Sequence, residues 1–165
     1  MNARPFLLVV CEGNLCRSPL AAALLAARLP QADVGSAGLA PPPGRPADPL
    51  AREMAEARGL SLDVHRARPV TAELCKQAAL IFVMDDAQRR LLETRHPFLR
   101  GRVFRLGDTA RASDDARPGF DIPDPYRGTR ADFIRCAALI DLAVASWLPR
   151  VAARWPALPV SVSLP

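Results

Sequence analysis

Lysine is almost missing from this sequence: Lys76 is the only one among 22 basic residues, and the rest are arginines. Aromatic residues make up 5%, histidine occurs twice and tyrosine once, at Tyr126. A nucleic-acid groove needs a dense basic stripe interleaved with stacking aromatics. Here the arginines are scattered among acidic residues and the net charge is only +5, which excludes that class. Long apolar runs are also absent near the start: Pro5 to Val10 stops at Cys11-Glu12-Gly13-Asn14, too short to span a bilayer. It is short for a secretory signal as well and ends in no small-residue cleavage site, so a cytoplasmic protein without membrane insertion is expected. The four cysteines, at 11, 16, 75 and 136, form no CxxC pair and have no histidines nearby, which argues against structural zinc. Cys75 and Cys136 fall in apolar helical patterns and read as small buried hydrophobes, whereas Cys11 and Cys16 do not.

What is present is a folding composition: half of the 165 residues are hydrophobic and 24% are charged, far from the signature of disorder. One domain is expected over residues 1–148, followed by a proline-rich tail, 149–165. Phe6 to Val10 reads as a strand buried on both faces, and from Ser18 the apolar period becomes helical. Ser18 is expected as the helix N-cap, with Pro19 at the first helical position. A short strand near Asp33 to Ala37 and a proline-rich loop, Ala40 to Pro46, precede a helix from Asp48 to Arg58 that stops at Gly59. Ala79 to Met84 is a second buried strand between helical patterns at Thr71–Gln77 and Asp86–Arg95, and Arg102 to Leu106 reads as a last strand. The segment from Gly107 to Gly128, dense in Gly, Pro and Asp, has the length of a functional loop, and a long helix follows from Thr129 to about Trp147. Strands alternating with helices predict an open parallel α/β sheet, whose ligands bind beyond the carboxyl ends of its strands.

The loop after the first strand, Cys11-Glu12-Gly13-Asn14-Leu15-Cys16-Arg17-Ser18, is built like an anion cradle. Gly13 and Asn14 tolerate left-handed backbone, so successive N–H groups can turn inward, and the helix start behind them adds positive potential. Arg17 supplies a planar fork for two phosphate oxygens. The same field favours thiolate at Cys11, and the Ser18 hydroxyl can add a hydrogen bond. A thiolate attacking phosphorus needs a proton for its leaving group, and Asp124, stiffened by Pro123 and Pro125, is the candidate donor. Tyr126 stands where it can flank a ring.

Cys11 to Pro19, with Asp124-Pro125-Tyr126, resembles the low-molecular-weight protein tyrosine phosphatase family over nearly the whole chain to about residue 148. Ser36-Ala37-Gly38, Ala47-Asp48-Pro49, His65-Arg66-Ala67-Arg68 and Met84-Asp85 also resemble family segments, in the same order. The resemblance implies a three-layer flavodoxin-like fold with a four-stranded parallel sheet. It further implies Cys11 as nucleophile, Arg17 as phosphate binder, Asp124 as acid then base, Asn14 shaping the loop and Ser18 tuning the thiolate. Glu12, Gly13, Asn14, Leu15, Cys16, Ser18 and Tyr126 form the expected substrate-binding set, with no metal or organic cofactor. Two departures stand out: Ala22 replaces a glutamate frequent in the family, and Pro41-Pro42-Pro43 lacks the aromatic that some members place beside the substrate ring.

Asp121 to Arg127 looks most like members associated with exopolysaccharide or capsule export, which implies a phosphotyrosine protein, a tyrosine autokinase, as partner. Cys16, five residues after Cys11, permits a reversible Cys11–Cys16 disulfide that would shield the nucleophile. Two sister activities share the cradle. A thioredoxin-coupled arsenate reductase needs further closely spaced cysteines, which Cys75 and Cys136 do not provide. A protein arginine phosphatase carries threonine where Leu15 offers an apolar wall. A dead, phosphotyrosine-binding module would have lost Cys11, Arg17 or Asp124, and all three are present. The resemblance suggests that His65 hydrogen-bonds the loop, the other reading being an exposed side chain, and it is placed outside the catalytic set; His96, before Pro97, reads as a helix-end residue.

Overall fold

A computed structural model describes residues 4–156. In chain order the elements are β1 (Phe6–Cys11), α1 (Arg17–Arg28), β2 (Asp33–Gly38), α2 (Pro49–Glu56), α3 (Ala72–Gln77), β3 (Leu80–Val83), α4 (Asp86–Arg95), β4 (Val103–Arg105) and α5 (Arg130–Arg154). The four strands form one parallel sheet in the order β2-β1-β3-β4.

Alternation along β1 divides the core into two layers. Leu7, Val9 and Cys11 face the cluster built with α1, α2 and α5, while Leu8 and Val10 face the cluster that holds Cys75, Leu92 and Leu99. On β3, Phe82 joins the first cluster and Ile81 and Val83 the second. Both faces are dry, which is why these strands read as unbroken apolar runs. β1 lies between β2 and β3, so strand order reverses there, and the loop at its carboxyl end opens at the crevice where such sheets bind ligands.

Capping residues set several helix starts. Asp48 accepts from Leu50 N at 2.9 Å, Thr71 from Leu74 N at 3.2 Å and Asp85 from Gln88 N at 2.8 Å. Thr129 and Asp132 form a reciprocal capping box at the start of α5. Three expected boundaries shift. α1 begins at Arg17 with Cys16 at the cap position, so Ser18 is inside the first turn and caps nothing; its hydroxyl is committed elsewhere. α2 ends at Glu56, and a tighter turn carries the chain to Gly59 at φ 72°. α5 continues past Trp147 to Arg154 with Pro149 inside it, so the first six residues of the expected tail are helix. Pro149 and Ala145 are both exposed, and the carbonyl that Pro149 leaves without a donor can take water. Residues 157–165 of that tail lie outside the described residues.

α5 is long and apolar enough to cross a membrane by length and composition. Its Phe133, Cys136, Ala137, Ile140, Val144, Trp147 and Val151 repeat at helical spacing and are buried against the sheet and α1, which makes it an amphipathic core helix.

Candidate active site

Cys11 ends β1 and is 2% exposed. Its Sγ lies 3.0 Å from Ser18 Oγ, which accepts from Asn14 Nδ2 at 2.8 Å. A hydroxyl has one proton, and accepting from Asn14 leaves Ser18 to donate it, either to the sulfur or to the more distant Ala37 carbonyl at 3.5 Å. The short contact places the Ser18 hydroxyl to donate to the Cys11 sulfur.

Asn14 is fully buried at φ 52°, the left-handed position a non-glycine residue rarely takes. Gly13, expected to share that role, does not adopt positive φ, and a Cβ there would meet only the Leu15 side chain at 3.8 Å. Asn14 Nδ2 also donates to Ser36 Oγ at 3.0 Å, and its Oδ1 accepts from Arg68 N at 3.0 Å. His65 Nε2 is 2.8 Å from the Asn14 carbonyl; since a carbonyl only accepts, the ring nitrogen carries the proton. Burial depresses the tendency of His65 to protonate, its bond to Asn14 partly opposes this, and Arg66 and Arg68 reinforce the depression. Beneath the loop, a Cβ on Gly38 would approach Glu12 O to 2.8 Å, so only glycine lets β2 pass this close.

Arg17 is 3% exposed. One terminal nitrogen donates to the Ile122 carbonyl at 2.8 Å and the other pairs with Asp124 Oδ2 at 3.0 Å. Its Nε is buried and has no acceptor among the described residues. A buried guanidinium N–H without a partner is costly, and an anion oxygen would satisfy it. Ile122 is itself fully buried and donates its N–H to Met84 O at 2.8 Å, so this residue clips the loop carrying Asp124 to the end of β3 and to Arg17. Asp124 Oδ1 also accepts from Tyr126 N at 3.2 Å.

A cavity of about 430 Å³ opens above the loop, lined by Cys11, Glu12, Gly13, Leu15, Cys16, Pro41, Pro42, Arg45, Asp124 and Tyr126 among others. Of the expected substrate-binding set, Glu12, Gly13, Leu15, Cys16 and Tyr126 line it. Asn14 and Ser18 lie below it and hold the loop's shape. Burial pushes the Cys16 thiol up, with Asp48 and Cys11 adding to the effect, and burial takes Cys136 to about 12. Cys75 belongs to the cluster on the other face of the sheet, away from Cys11.

Ser36, Arg68 and the Ile122 clip were outside the residues expected to build the site, whereas the hydrogen bond from His65 to the loop is the one the resemblance suggests. Ser36 and the His65–Arg68 segment carried a signal only as segments resembling the family, and the clip carried none.

The family profile described as low molecular weight phosphotyrosine protein phosphatase matches residues 6–156. The chain belongs to that family. These phosphatases are enzymes that act on phosphoproteins. The chain is 44% identical over 147 residues to the probable low molecular weight protein-tyrosine-phosphatase EpsP of Ralstonia nicotianae, covering 89% of this chain and 96% of that one. Among solved structures, Wzb of Vibrio vulnificus in complex with benzylphosphonate superposes with a TM-score of 0.79 at 34% identity, covering 90% of this chain and 99% of that one. The YwlE arginine phosphatase of Geobacillus stearothermophilus superposes as closely, at 0.81, but with 26% identity, over 91% of this chain and 94% of that one. The two solved relatives share the flavodoxin-like architecture with this phosphatase, whose four strands are all parallel. The family and the EpsP and Wzb relatives favour phosphotyrosine over phosphoarginine and arsenate for it.

Proposed function

We propose that the phosphatase hydrolyses protein phosphotyrosine in two displacements with Cys11, Arg17 and Asp124 as its catalytic residues. The observation that carries this assignment is the buried, unpartnered Arg17 Nε in the loop that begins at Cys11, beside Asp124. In the first displacement the Cys11 thiolate attacks phosphorus and the bond to the phenolic oxygen breaks. Arg17 and the loop N–H groups hold the equatorial oxygens, and Asp124 gives its proton to the phenolate. In the second, the Asp124 carboxylate takes a proton from water as its oxygen attacks the phosphocysteine, releasing inorganic phosphate and restoring the thiolate. Leu15, Pro41 and Pro42 give the cavity apolar walls for a phenyl ring, and Tyr126 supplies the aromatic flank that the proline loop lacks. Benzylphosphonate, the ligand held by the Vibrio relative, is itself a phenyl ring one carbon from phosphorus.

The phosphoprotein in this reading is a tyrosine autokinase of a polysaccharide-export system, acted on in the cytoplasm; the likeness of Asp121 to Arg127 to export-linked members supports it, and the EpsP and Wzb relatives are named as tyrosine phosphatases. Cys16 serves as a resolving thiol: peroxide converts the Cys11 thiolate to a sulfenic acid, and Cys16 condenses with it to a disulfide and water. Cys16→Ser should then lose the reductant-dependent recovery of activity after mild peroxide; unchanged recovery contradicts the role.

The test of the main reading is phosphate release, without metal, from phosphotyrosine, phosphoarginine and phosphoserine peptides, with arsenate reduction assayed alongside. Turnover is expected for phosphotyrosine, abolished in Cys11→Ser. Asp124→Asn should slow poor leaving groups by about 10²–10⁴ while slowing good ones far less; equal slowing contradicts the acid role.

A further inference from the structure

Two arginines, one lining the cavity and one against its Tyr126 wall, have no acidic partner among the described residues. Of the guanidiniums around this end of the sheet, Arg17, Arg52 and Arg130 pair with Asp124, Asp63 and Glu53, while Arg66 and Arg68 donate to backbone carbonyls. Arg45, by contrast, lines the cavity, is exposed and enters no ion pair among the described residues. Its backbone is fixed: Gly44 N donates to Ala67 O at 2.8 Å, and Arg45 O accepts from Ala67 N at 2.8 Å. Ala67 lies between His65 and Arg68, both bonded to Asn14, so Arg45 is anchored to the frame that shapes the catalytic loop. Prolines 42, 43 and 46 restrict the remaining freedom of this loop.

Arg127 follows Tyr126, which lines the cavity. It takes φ 62°, costly for a side chain with a Cβ, and its guanidinium lies 5.3 Å from the centroid of the Tyr126 ring. Tyr126 lines the cavity, so the second unpaired cation sits over the aromatic flank. The acidic groups facing the cavity are Glu12 and Asp124, and Asp124 is already engaged by Arg17.

We propose that Arg45 and Arg127 form a cationic rim that selects phosphotyrosine segments carrying carboxylate side chains beside the phosphorylated residue. A phosphotyrosine whose phosphate reaches the loop at Cys11 brings its neighbouring residues past Arg45 and past Tyr126 with its attendant Arg127. Carboxylates there find guanidiniums that no ion pair among the described residues neutralises, while basic neighbours are repelled. This inference rests on the phosphotyrosine reading and deepens it.

The test compares kcat/KM for phosphotyrosine peptides with aspartate, alanine or lysine flanking the phosphorylated residue, in the wild type, Arg45→Ala, Arg127→Ala and Arg45→Glu, each normalised to the same variant's rate on p-nitrophenyl phosphate. The wild type should favour the acidic peptide over the neutral one, and each alanine variant should reduce that preference by roughly threefold. Arg45→Glu should shift the preference toward the lysine peptide, and high salt should shrink all these differences. A wild type indifferent to flanking charge, or a preference that survives both alanine variants, overturns the rim. If p-nitrophenyl phosphate is hydrolysed and no phosphotyrosine peptide is, the phosphotyrosine reading itself fails and takes the rim with it.

Discussion

Asn14 uses its whole side chain on the loop: two donations, to Ser18 and Ser36, and one acceptance, from Arg68 N. Asn14→Ala leaves those buried partners unsatisfied and puts a Cβ-bearing residue that makes no local hydrogen bond into left-handed backbone, a loss of about 2–4 kcal/mol in urea denaturation. His65, which bonds the same residue's carbonyl, makes a prediction about pH. Its protonation is depressed in the folded state, so below the unfolded value of 6.5 the unfolded chain takes up a proton that the folded ring resists. Stability therefore rises with pH through this window and falls as the medium is acidified below it. His65→Asn should flatten the slope of unfolding free energy between neutral pH and the acid side of this window; an unchanged slope contradicts the assignment. Cys11, Arg17 and Asp124 were legible as residues because each has a chemical signature in its neighbours: a strand before, a helix behind, prolines around. Ser36, His65 and Arg68 were not legible from chemistry alone, because what makes them matter is a meeting across 22, 51 and 54 positions of sequence.

At the scale of elements, β3 meets α5 through Phe82, whose ring centroid is 4.8 Å from that of Trp147, while Trp147 Nε1 donates to Leu106 O at 2.8 Å. Phe82→Ala should cost about 3–5 kcal/mol by opening a cavity between sheet and helix, read as a lowered denaturation midpoint with unchanged slope. The approach of β2 to the catalytic loop carries a different prediction. Gly38→Ala would force Glu12 O away and displace the loop, lowering kcat/KM by about a hundredfold with the fold retained by circular dichroism; near-normal activity contradicts the close approach. β1 and β3 were readable because apolar runs buried on both faces admit few alternatives. Helix ends were less so. Ser18 resembled a cap because serine before proline usually is one, but its hydroxyl is drawn to Cys11 and Asn14, and the helix starts earlier. Pro149 resembled a terminator, yet an exposed helix face lets α5 run on to Arg154.

For the molecule as a whole, the strand order β2-β1-β3-β4 places Cys11 at the reversal point, and Ile122 links the loop carrying Asp124 to the end of β3 and to Arg17. The alternation of strands and helices indicated a parallel sheet with its site at the carboxyl ends. The clip that brings residue 124 back over residue 17 was not visible, since a fold of this kind leaves long loops free to settle on many surfaces. The proposed mechanism passes through a covalent phosphoryl group on one sulfur. Asp124→Ala, mixed with p-nitrophenyl phosphate and quenched within a turnover, tests this directly. The good leaving group needs little help in departing, while water activation is crippled, so a phosphoryl adduct should accumulate on the peptide containing Cys11 and be absent from Cys11→Ser. Turnover without any adduct, or an adduct on another residue, would contradict the assignment of Cys11 as the nucleophile.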